Sequence, residues 1–307
     1  MKTVAILMST YNGEKYLREQ LDSILAQVGV EIIIYVRDDG SSDGTKEMLA
    51  EYEKEYSNFH VELGENCGVG NSFMNLLYSV PATYDYYAFS DQDDVWEENK
   101  ICEAVKMLEE HNALLYTSNQ LCVDSNRNDL GLRYSSENLI HTNPVQILSV
   151  NMVSGCTMVF PNSFYKILTE EAHRPSADLL KIRIHDVWLA EVASLYGGLV
   201  YDERAFIKYR QHENNVVGAY REGFVKRQKQ RIKKLFHPNF PKGRSLLAKE
   251  ICLKFPDKAQ EHPVIELLAQ TKSFKDKKKI LKSSKELRSY TKEGRLSFFI
   301  KVMFGWI

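Results

Sequence analysis

Three carboxylates, Asp91, Asp93 and Asp94, fall within the string Phe89-Ser90-Asp91-Gln92-Asp93-Asp94. Carboxylates packed this closely repel one another unless a cation sits among them. The apolar run Tyr86 to Phe89 immediately before them reads as a strand that delivers them to its carboxyl end. Oxygen ligands there suit a hard divalent ion, Mg²⁺ or Mn²⁺, which as a Lewis acid could neutralise a diphosphate leaving group. A solvated acidic turn with Asp94 capping a helix would use the same residues. Three other polar clusters follow strand-like runs in the same way: Thr10-Tyr11-Asn12 after residues 3–8, Asp38-Asp39 after 32–37, and Asn66 after 59–63.

Between these runs the periodicity is helical. Leu17, Leu21, Ile24, Leu25 and Val28 mark an amphipathic helix with Asn12 as its cap. Met48, Leu49, Tyr52 and Tyr56 mark a second helix, and Phe73, Leu76, Leu77 and Val80 a third. Strands alternating with helices through tight loops predict an α/β fold with a mostly parallel sheet and helices on both faces. In such sheets the ligand crevice lies beyond the carboxyl ends of the strands, where all four polar clusters fall. Further on, strands are expected at 113–117, 155–160 and 199–208, and a helix at 186–196. Past residue 222 the composition turns to Lys, Arg, Leu and Phe, with helices expected at 222–236, 243–254 and 262–270 and an apolar run from Leu296 to Ile307. This divides the chain into an α/β domain over 1–220 and a basic helical extension over 221–307.

The charge follows the same division. Residues 220–307 hold 23 Lys and Arg against 8 Asp and Glu, while residues 1–219 hold 17 against 33. An acidic body with a basic tail points to cation chemistry in front and an anionic partner behind. The five cysteines are odd in number and widely spaced with no C-x-x-C pair, so neither a disulfide framework nor a zinc site is suggested, and a reducing cytoplasm fits best. The N-terminal apolar run is too short for a signal peptide, and no uninterrupted apolar stretch reaches the length of a membrane span.

The strings ILMSTYNGEKYLREQLDSILAQ, YVRDDGSSDGT, ENCGVGNSF and FSDQDDVWEENK, in this order and spacing, resemble family 2 glycosyltransferases of the GT-A fold. The resemblance covers about residues 1–215. SDQDDVW and YRQHENNVVG are similar to bacterial rhamnosyltransferases that build cell-surface polysaccharides. It implies an inverting sugar-nucleotide transferase with Mn²⁺ or Mg²⁺ as cofactor. Thr10 and Tyr11 match positions that hold the nucleotide base, and an aromatic face suits a base stack. Asp39 matches the carboxylate that accepts the pyrimidine N3–H, while Asp38, Ser41 and Asp43 read as turn chemistry. Asn66 and Gly68 match a loop whose backbone can approach the nucleotide. Asp91 and Asp93 match the D-x-D, Asp93 as metal ligand and Asp91 nearer the ribose, with Asp94 behind them. The general base matches Asp186, 93 residues beyond Asp93, although His185 stands where the family usually has Glu. Arg210 would hold phosphate oxygens and His212 the metal or a phosphate.

The donor implied is dTDP-L-rhamnose, with a UDP-hexose or UDP-N-acetylhexosamine as the alternative, and the acceptor a lipid-linked saccharide. Basic amphipathic segments such as Phe224 to Phe236, and the apolar end with its basic flanks, fit peripheral contact with an anionic membrane. The same tail could instead pack on the domain or on a second copy in a homo-oligomer. No nucleic-acid-binding module is present, so nucleic acid is not an expected partner. A different class of function, a non-catalytic glycan- or membrane-binding relative, is disfavoured by the intact Asp93 and Asp186.

Overall fold

Val4, Ala5, Ile6, Leu7 and Met8 are fully buried, as a strand covered on both faces requires. They form the centre of β1 (Lys2–Thr10), on which the rest of the sheet is built. The computed structural model describes residues 1–134, 143–150, 153–182, 184–212, 243–270, 273–291 and 294–304. The chain divides into two compact units. The first comprises Met1–Ile140, Val153–Thr169 and Gly198–Tyr220; the second comprises His141–Met152, Glu170–Gly197 and Arg221–Ile307.

In the first unit β1 leads to α1 (Leu17–Leu25), β2 (Val30–Asp38), α2 (Thr45–Glu55), β3 (Phe59–Leu63), α3 (Val69–Ser79) and β4 (Tyr86–Ser90). Then come β5 (Val95–Trp96), α4 (Lys100–His111), β6 (Leu115–Val123), β7 (Asp129–Leu132), β8 (Val159–Pro161) and β9 (Leu199–Arg210). The sheet order is β3-β2-β1-β4-β8-β6-β9-β5, with β7 on β6. The half containing β3, β2, β1 and β4 is parallel. The sheet is mostly parallel, as expected, with short antiparallel pairings in the other half, where β8 runs antiparallel to β4 and β6, and β5 antiparallel to β9. β6 and β9 pair in parallel, so the carboxyl end of β9 brings Arg210 beside Val123.

Several boundaries move. Asn12 does not cap α1; it takes a left-handed turn at φ 48° and its side-chain oxygen accepts the Ser42 N–H. α1 ends at Leu25, which leaves Val28 outside it and half exposed. Residues 155–160 are a short 3₁₀ turn at Gly155–Thr157 followed by β8 rather than one strand.

The described helices of the second unit are Pro144–Ser149, Ala177–Leu180, His185–Leu195, Gly243–Lys254, Pro256–Gln260, Pro263–Ala269, Phe274–Lys282, Ser284–Thr291 and Arg295–Phe304. Phe255 anchors part of it, stacked on His173 at 4.5 Å and lying beside Trp188 and Tyr196. Buried Leu247, Ile251, Ile265 and Leu268 join two of the helices. This grouping differs from the boundary expected at 220, in that the described residues of 143–150 and 170–197 fall in the same unit as those of the tail. The helix expected at 222–236 lies outside the described residues. No described helix is long and apolar enough to cross a membrane.

Candidate active site

The parallel half of the sheet ends its strands on one edge. The β1–β2 register pairs Thr10 with Asp38, and the β1–β4 register pairs Met8 with Ser90, so the three following loops start side by side. This puts Tyr11, Asp39 and Asp91 in neighbouring loops at the carboxyl edge.

Asp38 builds the turn. One of its oxygens accepts the Gly40 and Ser41 N–H groups, and the other accepts the Thr10 and Ser41 hydroxyls. Thr10 is fully buried and its hydroxyl serves Asp38. Tyr11 is half exposed, so its ring is available to a planar partner. Its backbone is clamped by Gln92, which accepts the Tyr11 N–H at 2.8 Å and donates to its carbonyl at 3.0 Å. A Cβ at Gly13 would collide with that Gln92 carboxamide.

Asp39 is buried and fixed from three sides. Arg37 donates to Oδ1 at 2.6 Å, the Cys67 N–H to Oδ1 at 3.0 Å and the Gly68 N–H to Oδ2 at 3.0 Å. The Cys67 thiol also meets Oδ1, at 3.2 Å, and burial beside the Asp39 charge pushes that thiol up. Arg37 is held in turn by the Ser72 hydroxyl and the Glu65 carbonyl. Gly68 sits at φ 84°, a left-handed conformation that a side chain would strain. Asn66 is exposed in the same loop, its backbone nitrogen 3.2 Å from where a Gly40 Cβ would lie.

The acidic cluster divides by burial. Asp91 and Asp93 are half-buried, and Asp94 is fully buried. Asp93 Oδ2 meets His212 Nε2 at 2.6 Å, and the His212 ring stacks on Tyr16. Asp94 Oδ1 accepts the Arg210 N–H at 3.1 Å. Burial, then the charges of Asp93 and Asp91, raise the Asp94 carboxyl well above its ordinary value. Opposed like charges of this kind are relieved by a cation. Among the described residues, one ligand atom each from Asp91, Asp94 and Cys156 lies within 4.8 Å of the others, a spacing that fits a divalent ion, while Asp93 faces His212.

Arg210 departs from the expected phosphate clamp. It is 2% exposed, and its guanidinium is engaged by the Asp93 carbonyl, the Ser125 carbonyl and the Glu19 carboxylate, with the Tyr16 ring 4.5 Å away. It is a strut that fixes the Asp93 backbone, built from β9, α1 and the loop after β4. Sequence reasoning missed this strut, the Gln92 clamp and the Arg37–Asp39 pair. For Gln92 and Arg37 the only sequence signal was adjacency to the acidic motifs.

In the second unit, Asp186 is the second residue of helix His185–Leu195 and is buried. Its Oδ1 accepts the Val187 N–H at 2.6 Å. Burial pulls the neighbouring His185 imidazole down to about 3.

Residues 5–168 match the family model described as Glycosyl transferase family 2. The chain is 33% identical over 222 residues to the dTDP-rhamnosyl transferase RfbG of Shigella flexneri, covering 69% of this chain and 74% of that one. It is 27% identical over 158 residues to a putative teichuronic acid biosynthesis glycosyltransferase, TuaG, of Bacillus subtilis, covering 51% of this chain and 60% of that one. Among solved structures, S. aureus TarS 1–349 in complex with UDP superposes with a TM-score of 0.60 at 19% identity, over 86% of this chain and 69% of that one. The mannosyltransferase PcManGT from Pyrobaculum calidifontis, solved with GDP-Man and Mn²⁺, gives 0.50 at 16% identity, over 98% and 84%. At those identities the two structures speak to the fold alone, which is GT-A. With the family model spanning more than half of its length, this chain belongs to glycosyl transferase family 2 and is a glycosyltransferase.

Proposed function

We propose that the protein transfers L-rhamnose from dTDP-L-rhamnose, with inversion, to a hydroxyl of a lipid-linked saccharide. The observation that carries the donor is the 33% identity to a dTDP-rhamnosyl transferase over 222 residues. The exposed Tyr11 ring would stack on thymine, and Asp39 would accept its N3–H through Oδ2. Thr10 and Asn66 complete the base side, Thr10 by fixing the Asp38 turn and Asn66 from the exposed loop after β3.

Asp91, Asp93 and His212 would hold Mn²⁺ or Mg²⁺, which neutralises charge on the diphosphate when bound. The mannosyltransferase neighbour was solved with Mn²⁺, which supports a cation of this class. Arg210 keeps Asp93 in place, and the Asp93–His212 contact keeps both ligands oriented. Asp186 is the proposed proton acceptor for the attacking hydroxyl, set in the first turn of its helix.

The described tail supports peripheral membrane contact. Lys275, Lys277, Lys278, Lys279 and Lys282 lie on the helix Phe274–Lys282, and helix Arg295–Phe304 exposes Leu296, Phe299, Ile300 and Phe304. Basic and apolar side chains together suit an anionic lipid surface.

The test is a donor panel of dTDP-rhamnose, UDP-glucose, UDP-galactose and UDP-N-acetylglucosamine, each with Mn²⁺ and Mg²⁺ and a rhamnose-accepting glycolipid. Nucleotide diphosphate release and product mass are read together. Release with dTDP-rhamnose alone supports the reading; release with a UDP-sugar alone overturns the donor.

A further inference from the structure

We propose that Arg133 binds the diphosphate of the sugar nucleotide, gripping phosphoryl oxygens where the engaged Arg210 cannot. Arg133 directly follows β7, and its N–H donates to the Gln120 carbonyl of β6 at 2.9 Å, which fixes where the side chain starts. The residue is half-buried. Its guanidinium lies 5.1 Å from the centre of the Tyr209 ring and 5.5 Å from that of Tyr134. Nη1 donates to Gln120 Oε1 at 2.6 Å and to the Ser154 hydroxyl at 2.8 Å. A guanidinium also carries donors on Nε and Nη2. Among the described residues nothing accepts from either of these in Arg133.

The charge is as incomplete as the hydrogen bonding. Arg18, Arg37, Arg127, Arg204 and Arg210, the other arginines of the first unit, each meet a carboxylate at 3.0 Å or less. Among the described residues Arg133 meets none. The groups that act most on its charge are Tyr134, Tyr209, Cys156 and Cys122, all neutral at neutral pH. A partly desolvated cation held only by neutral groups gains when an anion completes it. A guanidinium fork takes phosphoryl oxygens bidentately, with charge-assisted hydrogen bonds.

Position ties that anion to the acidic cluster. Gln120, which accepts from Arg133, donates through Nε2 to Cys156 Sγ at 3.0 Å. Cys156 in turn offers its sulfur within 4.8 Å of carboxylate oxygens of Asp91 and Asp94. Tyr209, under the guanidinium, leads directly into Arg210, whose N–H serves Asp94. The Gln120 side chain and the Cys156 sulfur therefore bridge Arg133 to the residues that fit a divalent ion. A diphosphate presents several oxygens, and Arg133 supplies a further positive group for them beside that cluster.

This assignment rests on the reading of the protein as a sugar-nucleotide enzyme, though not on which base or sugar it takes. The full-length protein with Mn²⁺ is titrated calorimetrically with dTDP and with UDP, and binding of thymidine and uridine is followed by ligand-observed NMR. For whichever diphosphate the wild type binds, affinity is expected to fall about tenfold or more in Arg133→Gln, the loss of a charge-assisted contact. Arg133→Lys, which restores the charge without the fork, is expected to recover part of it. Binding of the matching nucleoside is expected to be unchanged in both variants, which a merely structural role would not allow. Unchanged diphosphate affinity in Arg133→Gln, or an equal loss for nucleoside and diphosphate, overturns the assignment. Should Arg133→Gln fail to fold, Arg133→Met, which keeps the packing against the tyrosine rings, is judged on the same terms. UDP binding in place of dTDP overturns the proposed donor alone, and Arg133 is then judged on UDP.

Discussion

Asp93 Oδ2 lies 2.6 Å from His212 Nε2, joining the loop that leaves β4 to the residues that leave β9. Two halves of the sheet, one parallel and one mixed, therefore share one pair of candidate ligands. Asp93→Ala removes the carboxylate and leaves His212 without this partner. If the pair holds the cation that the diphosphate needs, kcat/KM for the donor falls about 10²–10³-fold, the range seen when one stabilising contact to developing charge is lost. Steady-state nucleotide release measures it, with circular dichroism to check the fold. A loss of only twofold or so would remove Asp93 from the chemistry.

Gln92 lies between two acidic residues yet faces the other way, closing on the Tyr11 backbone with two hydrogen bonds. Gln92→Ala frees Tyr11 to move without touching a carboxylate. Each neutral hydrogen bond contributes about 1 kcal/mol, so donor affinity is expected to weaken roughly tenfold. The effect should fall mainly on KM, since the ring binds substrate and transition state alike. Isothermal titration with the nucleotide diphosphate reports it directly, and unchanged affinity would mean that the clamp does not serve the base.

These two contacts mark what the sequence could and could not reveal. Short apolar runs located β1 to β4, and period-3.6 patterns the helices between them. The polar clusters at the strand ends were legible from the same runs. β5 and α4 were missed, since Val95-Trp96 is too short to show a period and owes its existence to pairing with β9. The role of Arg210 was misjudged because burial is a property of three elements meeting, and only one of them is near it in sequence. Cys156 gave no signal at all: a lone cysteine far from the acidic string acquires a neighbourhood only when β8 lies beside β4.

Arg37 and Asp39 form a nearly solvent-free pair, with side chains 7% and 4% exposed at 2.6 Å. Arg37→Met keeps the bulk but leaves the Asp39 carboxylate with the Cys67 and Gly68 amides and no counter-charge. Removing one member of a buried pair costs about 3–5 kcal/mol. Urea unfolding followed by circular dichroism should show a loss in that range. A loss under about 1 kcal/mol, typical of exposed pairs, would mean that solvent reaches Asp39 and that its role must be redrawn.

His185 gives a pH signature. Its imidazole is pulled by burial from the ordinary 6.5 down to about 3, so between those values the unfolded chain binds a proton that the folded chain refuses. Stability is therefore complete above pH 6.5 and falls as pH drops towards 3, with this group contributing a slope of about 1.4 kcal/mol per pH unit. His185→Gln should flatten the curve over that window relative to the wild type. Parallel curves for the two proteins would show that His185 is not held neutral in the folded state.

The helix Arg295–Phe304 exposes Phe299 and Ile300 while burying Phe298 and Val302, so its outer face can be changed without touching its packing. Paired replacement Phe299→Ser with Ile300→Ser removes apolar area at about 25 cal/mol per Å² and leaves every lysine in place. Co-sedimentation with phosphatidylglycerol-rich vesicles is expected to fall several-fold in the pair, and high salt is expected to weaken the wild type as well, since lysines near an anionic surface act through a screened field. Should the variant sediment like the wild type while salt still releases both, the apolar face plays no part and the attraction is electrostatic alone. Should neither protein sediment at low salt, the membrane reading of the tail fails, and its exposed apolar side chains call for another partner.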